Sequence, residues 1–346
     1  MPSALQIVWT LSIALATLSL VSLTALIGAR IFRQHRDKCL IERRKHLTSE
    51  LLRYALSGGG HPVVPVRAQY QRDIVTQIAL DAFSILDDKA RARITDVLCK
   101  VSLDASLRRA ARRGRIPRRI AALEALRLFP GLATRRSLEQ AQASSKFRIC
   151  LAALRTRVEL GDLPDLVKTL KLTQRPEGGR SLVLFKIVEA CVRADLPVAL
   201  RHLTPGQPPE ARIMLLKAIG ATGSWAAFRD IANASIDPDP EVRAAALTAL
   251  RAMAAPAALP IFTAATHDPN WQVRLKAVEG IGQLGKREDR ASIESLLNDP
   301  VWWIRFRADE ALHRLDGRGA ELRLTHEPPK SRKRRTSTPP RLAEAS

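Results

Sequence analysis

Hydrophobic and polar positions divide the chain into three regimes. Leu5 to Ile27 is an apolar run interrupted only by Gln6 and hydroxyl side chains. Residues 70–316 carry helical patterning, clearest toward the C-terminal end, where apolar or small residues recur at i, i+4, i+7 and i+8, the stripe that amphipathic helices bury, and fading upstream. Beyond Gly317 apolar residues become sparse and prolines frequent.

The middle regime is periodic at a second, longer scale. Asp237-Pro238 to Val242-Arg243, Asp268-Pro269 to Val273-Arg274 and Asp299-Pro300 to Ile304-Arg305 follow one another every 31 residues. The register continues through Ala246, Ala277 and Ala308, then Ala249, Gly280 and Ala311, then Leu250, Ile281 and Leu312. Each unit predicts a helical hairpin. Its Asp serves as a helix N-cap or an Asx turn, its Pro stops the preceding helix, and its small residues allow close helix approach. One hairpin cannot cover its own apolar face, so neighbours must stack. Arg212 keeps the phase, and weaker echoes start near Arg180, Arg148, Arg118 and Arg91. The expectation is an all-α chain, an α-solenoid of about seven hairpins over 70–316.

These residues resemble the HEAT-repeat family in its short form, the PBS-lyase HEAT-like repeat. Val278-Glu279-Gly280-Ile281-Gly282-Gln283-Leu284-Gly285, followed by Leu296-Leu297-Asn298-Asp299-Pro300, is similar to its consensus. The resemblance implies a contact ladder between successive repeats, carried here by Asp237, Arg243, Asp268, Arg274, Asp299 and Arg305. It also accounts for Gly282 and Gly285 as turn residues.

The apolar segment predicts a transmembrane helix at 5–28. Leu5 to Ile27 spans about 34 Å as a helix, against a bilayer core of about 30 Å. It lacks the basic leader and short apolar stretch of a cleavable signal. Arg30, Arg33, Arg36, Lys38, Arg43, Arg44 and Lys45 all follow it and none precedes it. Positive charge stays inside, so residues 1–4 are expected outside and the remainder in the cytoplasm. Ser12 and Ala16 have the small-residue spacing of a helix homodimer. Residues 29–56 read as a basic juxtamembrane helix, 57–69 as a flexible Gly/Pro linker, and 317–346 as a disordered basic tail. The abundance of Ala, Arg and Leu fits a GC-rich bacterial genome, in which case the membrane is the inner one.

Charge then sharpens the picture. The formal net charge is +22, concentrated in the juxtamembrane cluster, in the tail, and in Arg108, Arg109, Arg112, Arg113, Arg115, Arg118 and Arg119. Near Arg30–Lys45 it implies contact with anionic inner-leaflet lipids. The Arg108–Arg119 run offers an anionic lipid, nucleic acid or acidic partner a surface, or else solvates the edge of two repeats. If helical, the run places Arg108, Arg112, Arg115 and Arg119 together, while Gly114 and Pro117 argue for a turn within it.

No catalytic constellation emerges, and no cofactor is expected. Cys39, Cys99, Cys150 and Cys191 form no C-x-x-C pair and read as buried thiols of a reducing compartment. The seven histidines lack zinc spacing. Deoxyhypusine hydroxylases share the repeat type but need several His-Glu pairs, and this chain has only His326-Glu327. Bilin lyases find no selecting feature. Trp303 stands where its repeat siblings are Glu241 and Gln272, which suggests either an exposed anchor for a partner or a cover for the last repeat. Trp271 and Trp302 share a phase and read as structural. Together these features describe a non-enzymatic, membrane-tethered scaffold for a cytoplasmic or membrane protein. The alternatives are a polyanion or anionic-lipid binder, some HEAT-like glycosylases holding DNA on a basic face, and an accessory subunit of a cell-envelope complex.

Overall fold

The computed structural model describes residues 44–57, Val64 and 69–316, with scattered positions before residue 44. The expected membrane span at 5–28, most of the linker, and the tail at 317–346 lie largely or wholly outside the described residues. Among the described residues, no helix is long and apolar enough to cross a membrane. The described fold is all-α, and the helices form a solenoid-like repeat fold organised as two compact units, residues 1–162 and 163–346.

In the first unit, α1 (residues 44–57) precedes three helix pairs. These are α2 (Gln69–Phe83) with α3 (Asp88–Lys100), α4 (Leu103–Arg112) with α5 (Ile116–Ala125), and α6 (Leu132–Gln142) with α7 (Phe147–Glu159). Local chemistry sets several boundaries. Asp87 caps α3 by accepting from the Ala90 amide, and Gly114, at φ +125°, turns the chain between α4 and α5. The stripes meet in a core that includes Val75, Ile78, Ile94, Leu98, Leu123 and Leu138.

Sequence reading sets α1 apart as a juxtamembrane helix ahead of a flexible joint, but the fold builds it into this unit. Leu51 and Ala55 are buried in the common core. The Arg93 guanidinium donates to the Ala55 and Leu56 carbonyls at 2.8 and 3.2 Å, satisfying the C-terminal end of α1. Arg44 reaches Asp81 at 3.0 Å.

The second unit contains five pairs. They are α8 (Leu166–Leu170) with α9 (Leu182–Ala194), α10 (Leu196–Arg201) with α11 (Pro209–Thr222), α12 (Phe228–Ala234) with α13 (Pro240–Ala252), α14 (Leu259–Ala265) with α15 (Trp271–Leu284), and α16 (Arg290–Glu294) with α17 (Trp302–Leu315). The second helices α9, α11, α13, α15 and α17 pack one on the next, with the short first helices alongside. Eight pairs therefore replace the expected seven or so.

One local alternative is decided and one local reading changes. The Asp of each Asp-Pro turn forms an Asx turn rather than the helix cap. Asp237, Asp268 and Asp299 accept from the amides of Asp239, Asn270 and Val301 at 2.9, 2.8 and 2.8 Å. The caps of α13 and α15 are Asp239 and Asn270, two residues later. Gly282 is not a turn residue; it lies inside α15, where a Cβ would come 2.7 Å from the Ala311 Cβ of α17. Gly220 meets Ala249 in the same way, so glycine here allows adjacent repeats to close up.

Candidate interaction surfaces

The ladder residues come together across repeats of the second unit. Arg243 holds Asp268 with two bonds, Nε to Oδ2 at 2.8 Å and Nη2 to Oδ1 at 2.9 Å. Arg274 holds Asp299 likewise, at 2.8 and 3.2 Å. Arg212 pairs with Asp237 through Nη1, and its buried Nε has no hydrogen-bond partner. The turn before α11 carries Gly206-Gln207-Pro208 in place of the Asp-Pro sequence.

Each later arginine also secures its own turn. Nη1 of Arg243 donates to the Asp237 and Pro238 carbonyls, and Arg274 and Arg305 repeat this on Asp268 and Pro269, and on Asp299 and Pro300. Burial is the largest single effect and opposes the ionised forms of Asp268 and Asp299, but the hydrogen bonds from Arg243 and Arg274, the backbone amides of Asn270 and Val301 and the neighbouring guanidinium charges together outweigh it, so both carboxyls titrate below the usual carboxylate range.

A second ionic pattern runs along the second helices, and sequence reading missed it. Glu189 of α9 lies between Lys186 and Arg193, both at 2.8 Å. Glu310 of α17 lies between Arg307 and Arg314, both at 2.5 Å. Glu279 of α15 is held by Lys276 at 2.9 Å and by Arg251 of α13 at 3.1 Å. The hydrogen bond from Lys186, then that from Arg193, lowers the Glu189 pKa. Basic residues three before and four after Glu189 and Glu310, and three before Glu279, were the available signal. Arg251, Lys276, Glu279, Arg307, Glu310 and Arg314 line a groove of about 330 Å³ with cations in excess of carboxylates.

Trp303 stands at one end of that stripe, one turn before Arg307, and is 55% exposed. Its ring meets Trp302 edge-on at 4.6 Å and Phe306 at 6.3 Å, while Trp302 stacks on Phe306 at 5.4 Å. Trp271, the repeat sibling of Trp302, is half-exposed. Trp225, which sequence reading passed over, is also exposed and stacks on Phe228.

In the first unit the Arg108–Arg119 run does not form one face. Arg108, Arg109, Arg112 and Arg113 surround a hollow of about 410 Å³ at the end of α4, with Arg108 paired to Asp104 at 2.7 Å. Beyond the Gly114 turn, Arg115 precedes α5. Arg118 donates to Gln69 at 2.5 Å, and Arg119 donates through Nε to the Ala111 carbonyl at 3.0 Å. Arg91 makes the matching bond to Phe83, also at 3.0 Å, so Arg119 serves the fold. Cys150 and Cys191 are buried as expected of structural thiols, whereas Cys99 is exposed. Among the described residues, no group of three or more His, Cys, Asp or Glu side chains could hold a metal ion.

The stacked pairs with an Arg–Asp ladder define a helical-repeat protein, and residues 196–270 and 259–326 match the HEAT-repeat family. The HEAT-repeat match is confined to residues 196–326. No curated protein sequence matches it. Among solved structures, human deoxyhypusine hydroxylase is similar at 15% identity, covering 72% of this chain and 96% of its own, with a TM-score of 0.33. Escherichia coli YibA is similar at 13% identity, covering 73% and 97%, with a TM-score of 0.37. A Kap121p mutant is similar at 12% identity, covering 80% of this chain and 38% of its own, with a TM-score of 0.40.

Proposed function

We propose that the protein is a non-catalytic scaffold that holds a cytoplasmic or membrane protein on the second-helix face of its second unit. The observation that carries this reading is the Trp302, Trp303 and Phe306 cluster, an aromatic patch in which Trp303 is exposed and stands one turn from Arg307 of a charged groove. Exposed aromatics rimmed by polar groups are the usual anchors of protein interfaces.

The same proposal includes a membrane tether at 5–28, with the body cytoplasmic. Trp9, Leu23 and Ile27 are helical and exposed, which suits an apolar helix whose partner is lipid. Tethering concentrates a held partner at the membrane, anionic inner-leaflet lipids near Arg30–Lys45 would assist, and Ser12 and Ala16 leave a homodimer open. Purification of the full-length protein in mild detergent after nuclease treatment tests the scaffold. A protein retained in near-stoichiometric amount at high salt, and lost with Trp303→Ala, is the expected result. A preparation with no such protein would reject it.

A second reading rests on the hollow ringed by Arg108, Arg109, Arg112 and Arg113, of which only Arg108 forms an ion pair among the described residues, with Asp104. It suits a polyanion, such as nucleic acid or anionic lipid. Binding through it would weaken steeply with salt and disappear on Arg112→Glu and Arg113→Glu.

A further inference from the structure

The ladder ends asymmetrically. Arg243 and Arg274 each divide their guanidinium in two: Nη1 grips the carbonyls of its own turn, and the Nε–Nη2 edge takes the carboxylate one repeat on. Arg305 keeps the first half of this arrangement, donating to the Asp299 and Pro300 carbonyls at 2.7 and 3.2 Å. Its Nε–Nη2 edge has no acceptor among the described residues, and 31 residues beyond Asp299 the sequence carries Lys330 instead of an acid. The planar fork is therefore held in the orientation that binds a carboxylate bidentately, with the entropic cost of ordering it already met by the turn.

What the end of this unit does not offer is a seat for another whole repeat. Leu216, Leu247 and Val278 are fully buried, and their repeat sibling in α17 is Asp309. Asp309 is paired with His313 at 3.7 Å, and both side chains are more than a third exposed. A polar outer face closes a stack. At the start of the same helix, however, Trp302, Trp303 and Phe306 remain as an apolar patch within three residues of Arg305 along the chain.

We propose that the Nε–Nη2 edge of Arg305 is a binding site for an Asp or Glu carboxylate from a short segment of a partner protein, whose neighbouring apolar side chain rests on Trp303. This deepens the scaffold reading and rests on it, naming the chemistry of the partner: an acidic residue flanked by an apolar one, presented as Asp268 and Asp299 are presented within the fold.

The test titrates full-length protein in detergent with a dye-labelled, amidated peptide Asn-Asp-Pro-Val-Trp-Trp, the sequence of residues 298–303, and follows anisotropy. A companion peptide carries Asn for the Asp and leaves the protein untouched. The Asp peptide should bind roughly tenfold more tightly than the Asn peptide, the value of one charged hydrogen-bond pair. Arg305→Gln should abolish that difference, Arg305→Lys should keep part of it, and Trp303→Ala should weaken both peptides alike. Equal binding of the two peptides, or no binding of either, overturns the proposal. If the full-length variant with Glu321, Glu327 and Glu344 all changed to Gln alone acquires the preference for Asp, the chain's own tail fills the seat, and the partner assignment is overturned. A partner retained on detergent-purified Arg305→Gln but lost with Trp303→Ala would sink the carboxylate seat while leaving the scaffold reading intact.

Discussion

At the scale of single residues, the ladder arginines join two jobs that sequence periodicity shows only as one recurring letter. One edge of the guanidinium neutralises orphan carbonyls in the turn, and the other spans to the next repeat. Such pairs are sensitive to the loss of one partner, because the other stays buried and charged. Arg274→Ala leaves Asp299, whose side chain is 4% exposed, without its counter-ion, and should cost about 3 kcal/mol. Urea unfolding followed by circular dichroism would measure it. Arg274→Lys should recover only part, since an ammonium cannot form the two-bond fork.

The same pairs set an acid limit. Asp268 and Asp299 titrate below their ordinary value in the fold, so their contribution is fully present above the unfolded carboxylate pKa, about 3.9. It is lost as pH falls through the lower folded values. Stability should be flat in these groups near neutrality and decline below about pH 4. Asp268→Asn should flatten that acid limb in thermal melts at stepped pH; an unchanged slope would remove Asp268 as a cause.

At the scale of elements, repeat spacing is controlled by what lies between the second helices. Gly282 faces Ala311 with no space for a methyl group. Gly282→Ala gains about 1 kcal/mol of helix propensity but overpacks the interface, which typically costs 1–3 kcal/mol. A net loss of about 1 kcal/mol is therefore expected. Combining it with Ala311→Gly should restore the packing, so a double-mutant cycle in urea should show a coupling that independent sites would lack.

Helix α1 makes a different point at this scale. Its apolar residues contribute to the first unit's core, so Leu51→Asp, which places a charge at a position 1% exposed, should detach it. Hydrogen exchange should then show the amides of residues 44–57 losing protection; full retention would mean that the helix stands without that core.

At the scale of the whole molecule, a docked α1 implies that a membrane-spanning segment at 5–28 would be joined to the first unit by a short stretch of chain. Alkaline extraction should leave the full-length protein in the membrane pellet, and deletion of residues 1–29 should release it. Release of the intact chain by alkali would contradict the tether. A scaffold held in this way gains effective concentration for its partner without any added contact.

Most of what is regular in this protein could be read from its residues. The 31-residue spacing of Asp237, Asp268 and Asp299 encodes the stacked helices, and the amphipathic stripes encode which face is buried, because both depend on local geometry that repeats. Tertiary structure alone decided the matters that depend on distant neighbours. It placed Gly282 at a helix contact rather than in a turn, split the Arg108–Arg119 run around Gly114, and seated α1 in a core that its sequence neighbours do not form. Among the described residues it also left Arg305 held on one edge only, because a pairing between repeats is defined by what stacks next, and that is a property of the assembled fold rather than of any one segment.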